Sequence, residues 1–209
     1  MIITVQNPTL DLLYSSIYLS PDANYYYIRL AKNAGSYTSA VLGSSGWKQI
    51  EHTQLPVNFI TNCKKIIPIR EPIERYCSGI AEDLIQNNLL KDNKPLDLNN
   101  QDHIEFLFDT ITFSVHSDRQ FTILNGIDTS NCTFLDVKND YSINLNKLVF
   151  SQNLGTITNV EKKNTTVRNN NKTFVVNKMK MLLLKSNYLN KIKTYFAEDI
   201  FWYNKCLGN

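Results

Sequence analysis

A run of aromatic and β-branched residues, Tyr25 to Leu30 (YYYIRL), ends in the turn Lys32-Asn33-Ala34-Gly35-Ser36 and enters a helix-forming stretch that reaches Leu42. This succession constrains the fold most, because such residues suit a pleated, buried strand. The small residues after Ser36 permit close helix packing, and Gly43-Ser44-Ser45-Gly46-Trp47 interrupts the helix. A second strand and helix are expected in KIIPIREPIERYCSG. Lys65 to Ile69 reads as the strand, with Pro68 placing it at a sheet edge or at the strand end. Pro72 suits the first turn of a helix whose apolar spacing continues from Ile73 to Leu90.

The other segments are read in the same way. Residues 1–24 form an N-terminal segment in which TLDLLYSSIYLS suits a short helix or an edge strand, and Pro21-Asp22 marks a turn. KDNKPLDLNNQ reads as a polar loop and DHIEFLFDTITFSV as a helix from Asp102. Cys132 to Val137 reads as a short strand, followed by a helix ending at Gly155. EKKNTTVRNNNKT is the most loop-like stretch, and a flexible loop is expected over 156–177. A helical tail over 178–206 breaks near Asn187–Tyr188. Short strands alternating with helices favour one α/β domain over 1–209, with a parallel sheet and peripheral helices.

Composition narrows the partner. The chain has 209 residues, 43% hydrophobic and 20% charged, with a net charge of +3. That charge is too small to argue for nucleic acid and is compatible with an anionic ligand. No apolar run approaches a membrane span and no leader-like segment opens the chain, so the expectation is a cytoplasmic protein. Cys63, Cys77, Cys132 and Cys206 form no Cys-x-x-Cys pair, have no histidine at ligand spacing, and read as buried thiols in a reducing compartment. No metal site is expected. The sequons at Asn131, Asn164 and Asn171 are read as chance products of an Asn-rich chain.

Two pieces carry chemistry. A strand feeding a helix through Lys32 to Ser36 is a natural anion cradle, because the helix start offers unpaired N–H groups and a partial positive charge. Gly35 permits close backbone approach, Lys32 adds a mobile charge, and Ser36 with Tyr37 or Thr38 adds hydroxyls. The plain alternative is an ordinary turn with a solvated lysine. In the second piece, Arg70 stands at a strand end, where open α/β sheets bind ligands. Arg70 and Ser78 suit a clamp on a phosphate, against the plain alternative of a helix with Glu74, Arg75 and Glu82 solvated.

Together, RLAKNAGSY and IIPIREPIERYCSG resemble the paired signatures of sulfotransferases that use 3′-phosphoadenosine 5′-phosphosulfate (PAPS), above all the carbohydrate sulfotransferases of Golgi and bacterial type. Ala31 stands where that family commonly has proline, and Glu71 where it has aspartate. VHSDRQFTIL is similar to a His-x-x-x-Gln segment of the family, with Arg119 where proline is usual. CTFLDVKNDYSINLNKLVF, LGTITNVEKKNTT and YFAEDIFWYNKC extend the likeness, so it spans about residues 25–206.

The resemblance implies a P-loop-like three-layer α/β fold with a central, mostly parallel sheet flanked by helices. It implies sulfuryl transfer to a hydroxyl, above all of a carbohydrate or else of another small molecule, with PAP as product. Lys32 is expected at the transferred group, Lys32, Asn33, Ala34, Gly35, Ser36, Tyr37 and Thr38 at the 5′-phosphosulfate, and Arg70 with Ser78 at the 3′-phosphate. Arg75 is read as a second phosphate contact or as a partner of Glu71 or Glu82. His52 is expected as the base, with Glu51 as substitute and His116 as an alternative through the His-x-x-x-Gln segment; Glu51 is expected near the acceptor, and His116 and Gln120 at the acceptor or cofactor site. His103 is read as non-catalytic. Lys162, Lys163 and Arg168 suit a lid or an anion site, or a solvated loop. The rivals are a kinase-like nucleotide enzyme, disfavoured by the missing Gly-x-x-x-x-Gly-Lys-[Ser/Thr] pattern, and a noncatalytic nucleotide- or glycan-binding module. A peptide tyrosine as acceptor is a third variant.

Overall fold

A computed structural model describes residues 17–50, 62–86, 89–91, 93–124, 130–151, 167–185 and 187–208. It is a mixed α/β fold with a central sheet flanked by helices. Where the sequence predicts one domain, the described residues group into two compact units. One draws on 1–70, 120–163 and 206–209, the other on 71–119 and 164–205.

The first unit holds the sheet. Its strands are β1 (Ile17–Leu19), β2 (Tyr25–Ile28), β3 (Lys48–Ile50), β4 (Lys64–Ile69) and β7 (Cys132–Asp136), in the order β3-β1-β2-β4-β7. β2, β4 and β7 pair in parallel, while β1 pairs antiparallel with both β2 and β3. Four of the five strands therefore run the same way, but only two of the four adjacent pairs are parallel. Helix α1 (Gly35–Ser44) leads from β2 to β3, and α5 (Tyr141–Ser151) follows β7. Alternation sorts the strand side chains: Tyr25, Tyr27, Ile66 and Leu135 share a core with Val41 and Leu42 of α1 and Leu145 and Val149 of α5. Tyr26, Ile28, Lys65, Ile67 and Ile69, at the intervening positions, are buried too. Burial on both faces is why this part of the sequence lacks polar alternation.

Pro68 does not mark an edge. β4 lies between β2 and β7. Lys64 donates its N–H toward the β2 side, to Asn24, and Lys65 toward the β7 side, to Asn131. By alternation Pro68 faces β2, whose last rung is Tyr27 opposite Ile66. The missing N–H falls beyond that pairing and costs no ladder bond.

The second unit is helical. It contains α2 (Pro72–Gln86), a hairpin of β5 (Leu90–Lys91) and β6 (Lys94–Pro95), α3 (Gln101–Thr110), α6 (Val167–Lys185), α7 (Tyr188–Tyr195) and most of α8 (Ala197–Leu207). Glu71 caps α2 by accepting the Glu74 N–H at 2.7 Å, and Pro72 begins the helix. Tyr76, Cys77 and Ile80 pack with Leu107, Phe108, Met179, Leu183, Ile192 and Phe196. Lys172 meets Glu82 at 2.5 Å and Lys180 meets Glu74 at 2.8 Å, so these glutamates bridge α2 to α6 and are not simply solvated.

Three sequence expectations change here. The polar stretch after Leu90 contains the hairpin. The helix from Asp102 stops at Thr110, with Ile111 at φ 61, and does not reach Val115. Helix α6 begins at Val167, inside the stretch read as loop, so much of 156–177 is helical. The expected break near Asn187–Tyr188 is present, with a second at Phe196. All four cysteines are thiols, two buried and two partly buried. No helix among the described residues is long and apolar enough to cross a membrane.

Candidate functional site

The first unit places its chemistry at the carboxyl ends of β2 and β4. From β2 the chain passes through α1 to β3, on one side of the sheet; after β4 the next strand of this sheet is β7, on the other. The gap between β2 and β4 is therefore a topological switch point, the place where open α/β sheets bind ligands. The Lys32 turn leaves β2 there and Arg70 leaves β4 there.

The turn is conformationally unusual. Lys32 has φ 64 and Ala34 has φ 57, both left-handed without glycine. Ala34 stands at the N-cap of α1 and supplies no side-chain cap, and the first helical turn carries no acidic residue. The positive end of the helix is therefore not offset from within the turn. Asn33 holds the loop from below: fully buried, it donates through Nδ2 to Pro68 O at 2.8 Å and to Gln120 Oε1 at 2.9 Å. Its Oδ1 is buried without a hydrogen-bond partner among the described residues.

Gln120, at the start of α4 (Gln120–Ile123), copies a strand rung. Its Oε1 accepts the Arg70 N–H at 3.2 Å and its Nε2 donates to Arg70 O at 2.6 Å. Being fully buried, Gln120 positions Arg70 and Asn33. The Arg70 guanidinium approaches Lys32 O at 3.5 Å. Arg29, not singled out in the sequence, lies against Gly35: a Cβ there would sit 2.7 Å from Arg29 Nε. The space that Gly35 leaves is thus taken by a cationic side chain. The available signal was a basic residue interrupting an apolar strand just before Lys32.

The hydroxyls divide. Ser36 is exposed and Tyr37 partly so. Thr38 is fully buried, with Oγ1 on Ala34 O at 2.9 Å and 2.5 Å from the Tyr141 hydroxyl, so it serves the helix and the core. Burial holds the Tyr141 hydroxyl far above its ordinary pKa, keeping it neutral.

The second unit contains Arg75, Ser78 and His116. Ser78 is buried on α2. Arg75, almost fully buried, donates Nη2 to Val115 O at 3.0 Å and Nη1 to Asp118 O. It clamps backbone carbonyls rather than standing solvated. One turn on, Gly79 lies so close to the same segment that a Cβ would fall 2.1 Å from His116 O. One turn further, the fully buried Asp83 accepts from Ser114 Oγ at 2.7 and 2.9 Å and from Ser117 Oγ at 3.1 Å, and lies 3.3 Å from His116 Nδ1. Residues 75, 79 and 83 form one i, i+4, i+8 stripe. Burial alone would raise the Asp83 carboxyl; hydrogen bonds from His116, Ser114 and Ser117, with the His116 charge, outweigh it and hold the group below its ordinary pKa. The sequence reading passed over Asp83, and the four-residue spacing from Arg75 through Gly79 was its only mark. Beyond the clamp, Asp118 Oδ1 accepts the Tyr195 hydroxyl at 2.9 Å, and the Arg119 guanidinium lies over the Tyr195 ring at 5.2 Å.

His103 accepts the Asp97 N–H through Nδ1 at 2.9 Å, a structural contact at the start of α3. His52, Glu51, Lys162 and Lys163 lie outside the described residues, as does the Arg168 side chain. Among the described residues no group of three or more His, Cys, Asp or Glu could hold a metal ion. No family model, curated protein or solved structure matches the chain.

Proposed function

We propose that the protein is a PAPS-dependent sulfotransferase of P-loop-like architecture, acting on a hydroxyl of a carbohydrate or other small acceptor. The observation that carries the reading is the uncapped, left-handed Lys32–Ser36 turn at the β2–β4 switch point, with the Arg29 and Arg70 side chains against it. Helix-start N–H groups and three basic side chains suit a dianionic phosphate ester and a sulfate monoester, so these residues fit the nucleotide. When bound, PAPS supplies an activated sulfuryl group.

The chain's own residues do the rest. The α1 N–H groups and the exposed Ser36 hydroxyl hold the 5′ end. Lys32 neutralises charge gathering on the bridging and leaving oxygens, the electrostatic role that such transfers require. Arg70, fixed at its backbone by Gln120, is assigned to the 3′-phosphate. His52 remains the base that the resemblance implies.

The test is calorimetric titration with PAP against ATP and AMP, repeated on Arg70→Ala. Micromolar, PAP-selective binding that weakens at least tenfold in the variant supports the reading. Equal affinity for ATP favours a kinase-like enzyme, and PAP binding without turnover on a panel of hydroxyl acceptors favours a noncatalytic module. Absence of PAP binding sinks the assignment.

A further inference from the structure

Helix α6 carries apolar residues on two opposite sides. Met179 and Leu183 are 0% and 1% exposed and belong to the core of the helical unit. Phe174, Met181 and Leu184 are 70%, 41% and 75% exposed. At about 3.6 residues per turn these three fall within about 80° of one another, on the side away from Met179 and Leu183. Single exposed apolar residues are ordinary, but three in one sector, over about 15 Å of helix, form a patch. A surface helix needs one apolar stripe, and α6 has a second.

The chain around the patch carries one sign of charge. Between Glu161 and Glu198 it has nine Lys or Arg and no Asp or Glu, while the rest of the sequence has thirteen basic residues against nineteen acidic. A small net charge thus conceals a strongly basic segment. Part of that charge is used within the unit: Lys172, Lys180 and Lys191 meet Glu82, Glu74 and Asp109. Lys178, beside Phe174 around the helix, instead meets the neutral Asn99 amide oxygen at 3.2 Å. Lys193 on α7 is exposed, with no ion pair among the described residues.

We propose that this face of α6 docks on an anionic lipid surface, with Phe174, Met181 and Leu184 entering the headgroup layer and the lysines meeting its phosphates. An apolar helix face set among basic residues binds such a surface without crossing it. Two features favour lipid over a second helix. Asn177 is exposed and falls between Met181 and Leu184 around α6. A helix seam would take its amide out of water, whereas the headgroup layer supplies donors and acceptors. A second copy of α6 would bring the same acid-free face and repel. The docking face lies wholly in the helical unit and does not depend on the nucleotide reading.

The experiment is co-sedimentation of the full chain with two kinds of vesicle, phosphatidylcholine alone and phosphatidylcholine mixed with phosphatidylglycerol, at low and high salt. Partition onto the anionic vesicles is expected to exceed that onto the neutral ones by about tenfold or more, and to fall as salt rises. Joint Phe174→Asp and Leu184→Asp should lower it by about tenfold or more, and Lys178→Gln by about fivefold. The altered side chains lie outside the core, and a thermal melt like that of the natural chain checks that the variants fold. If the double variant melts early, the salt series and Lys178→Gln decide. No binding, equal binding to the two vesicles, or binding that the folded double variant retains overturns the proposal. Concentration-dependent dimers formed without lipid and abolished by Leu184→Asp would make the face a contact between copies, and overturn it as well.

Discussion

The molecule holds two irregular turns in opposite ways. The Lys32–Ser36 turn of the first unit is kept by left-handed backbone and by two buried amide side chains, Asn33 and Gln120. The 114–118 turn of the second unit is kept by buried charges, Arg75 on its carbonyls and Asp83 on its serines. Neutral amides leave the first turn electrostatically open to an anion. Buried charges in the second are offset locally, by carbonyl dipoles and hydroxyls, and the carboxylate's remaining influence goes to one imidazole. A turn left open to an anion and a turn packed around buried charges have different supports.

The two glycines break the comparison most sharply. Gly79→Ala puts a methyl group 2.1 Å from a backbone oxygen, with His116 C and Ser117 Cα also inside 3 Å. We expect a loss of about 3 kcal/mol in denaturant unfolding. Gly35→Ala meets the movable Arg29 side chain instead, at 2.7 Å, and should cost under about 1 kcal/mol while weakening PAP binding as Arg29 is displaced. Equal losses at the two glycines would erase the distinction drawn here.

Between these extremes, Arg75→Met deprives Val115 O and Asp118 O of charged donors and should cost about 2–3 kcal/mol, read by the same unfolding. Gln120→Ala removes a neutral amide from Arg70 and Asn33 and should cost about 1–2 kcal/mol, with a measurable drop in PAP affinity. The gentlest lever is pH. Because the folded Asp83 carboxyl titrates below its ordinary value, its stabilisation is complete above that ordinary value and fades as pH falls through the lowered one. Acid unfolding of Asp83→Asn, compared with the natural chain, should lack that part of the pH dependence. An identical acid profile would mean that Asp83 is not held ionised.

The sequence made the parallel strands β2, β4 and β7 and the two strand–helix joints legible, because each is short, apolar and locally encoded, with Tyr25 to Ile28 before Gly35 and Lys64 to Ile69 before Pro72; the exposed, polar β3 carries no such signal and went unread. What it hid depends on distant partners. Arg75 reads as a phosphate contact, a partner of Glu71 or Glu82, or a solvated helix residue until its carbonyl partners, 40 and 43 residues on, are placed beside it. Ile111 at φ 61 ends a helix whose apolar pattern continues past it. The asparagines at 169–171 have weak helix propensity, and ion pairs from Lys172 and Lys180 to α2 contribute to holding α6 there. Arg29 was overlooked because its importance lies in facing a glycine six residues later.

Pro68 carries one more consequence. Beyond Tyr27 and Ile66, β2 and β4 no longer pair, and the next β4 residue pointing toward β2 has no hydrogen to offer. The sheet therefore has a covalent zipper stop at the mouth of the switch point. Side chains can repack and loops can shift, but the two strands cannot knit further through that position. Asn33 takes the proline carbonyl at 2.8 Å, so even the remaining half of the rung is committed to the turn. The point where β2 and β4 part is thereby written into one ring in the backbone.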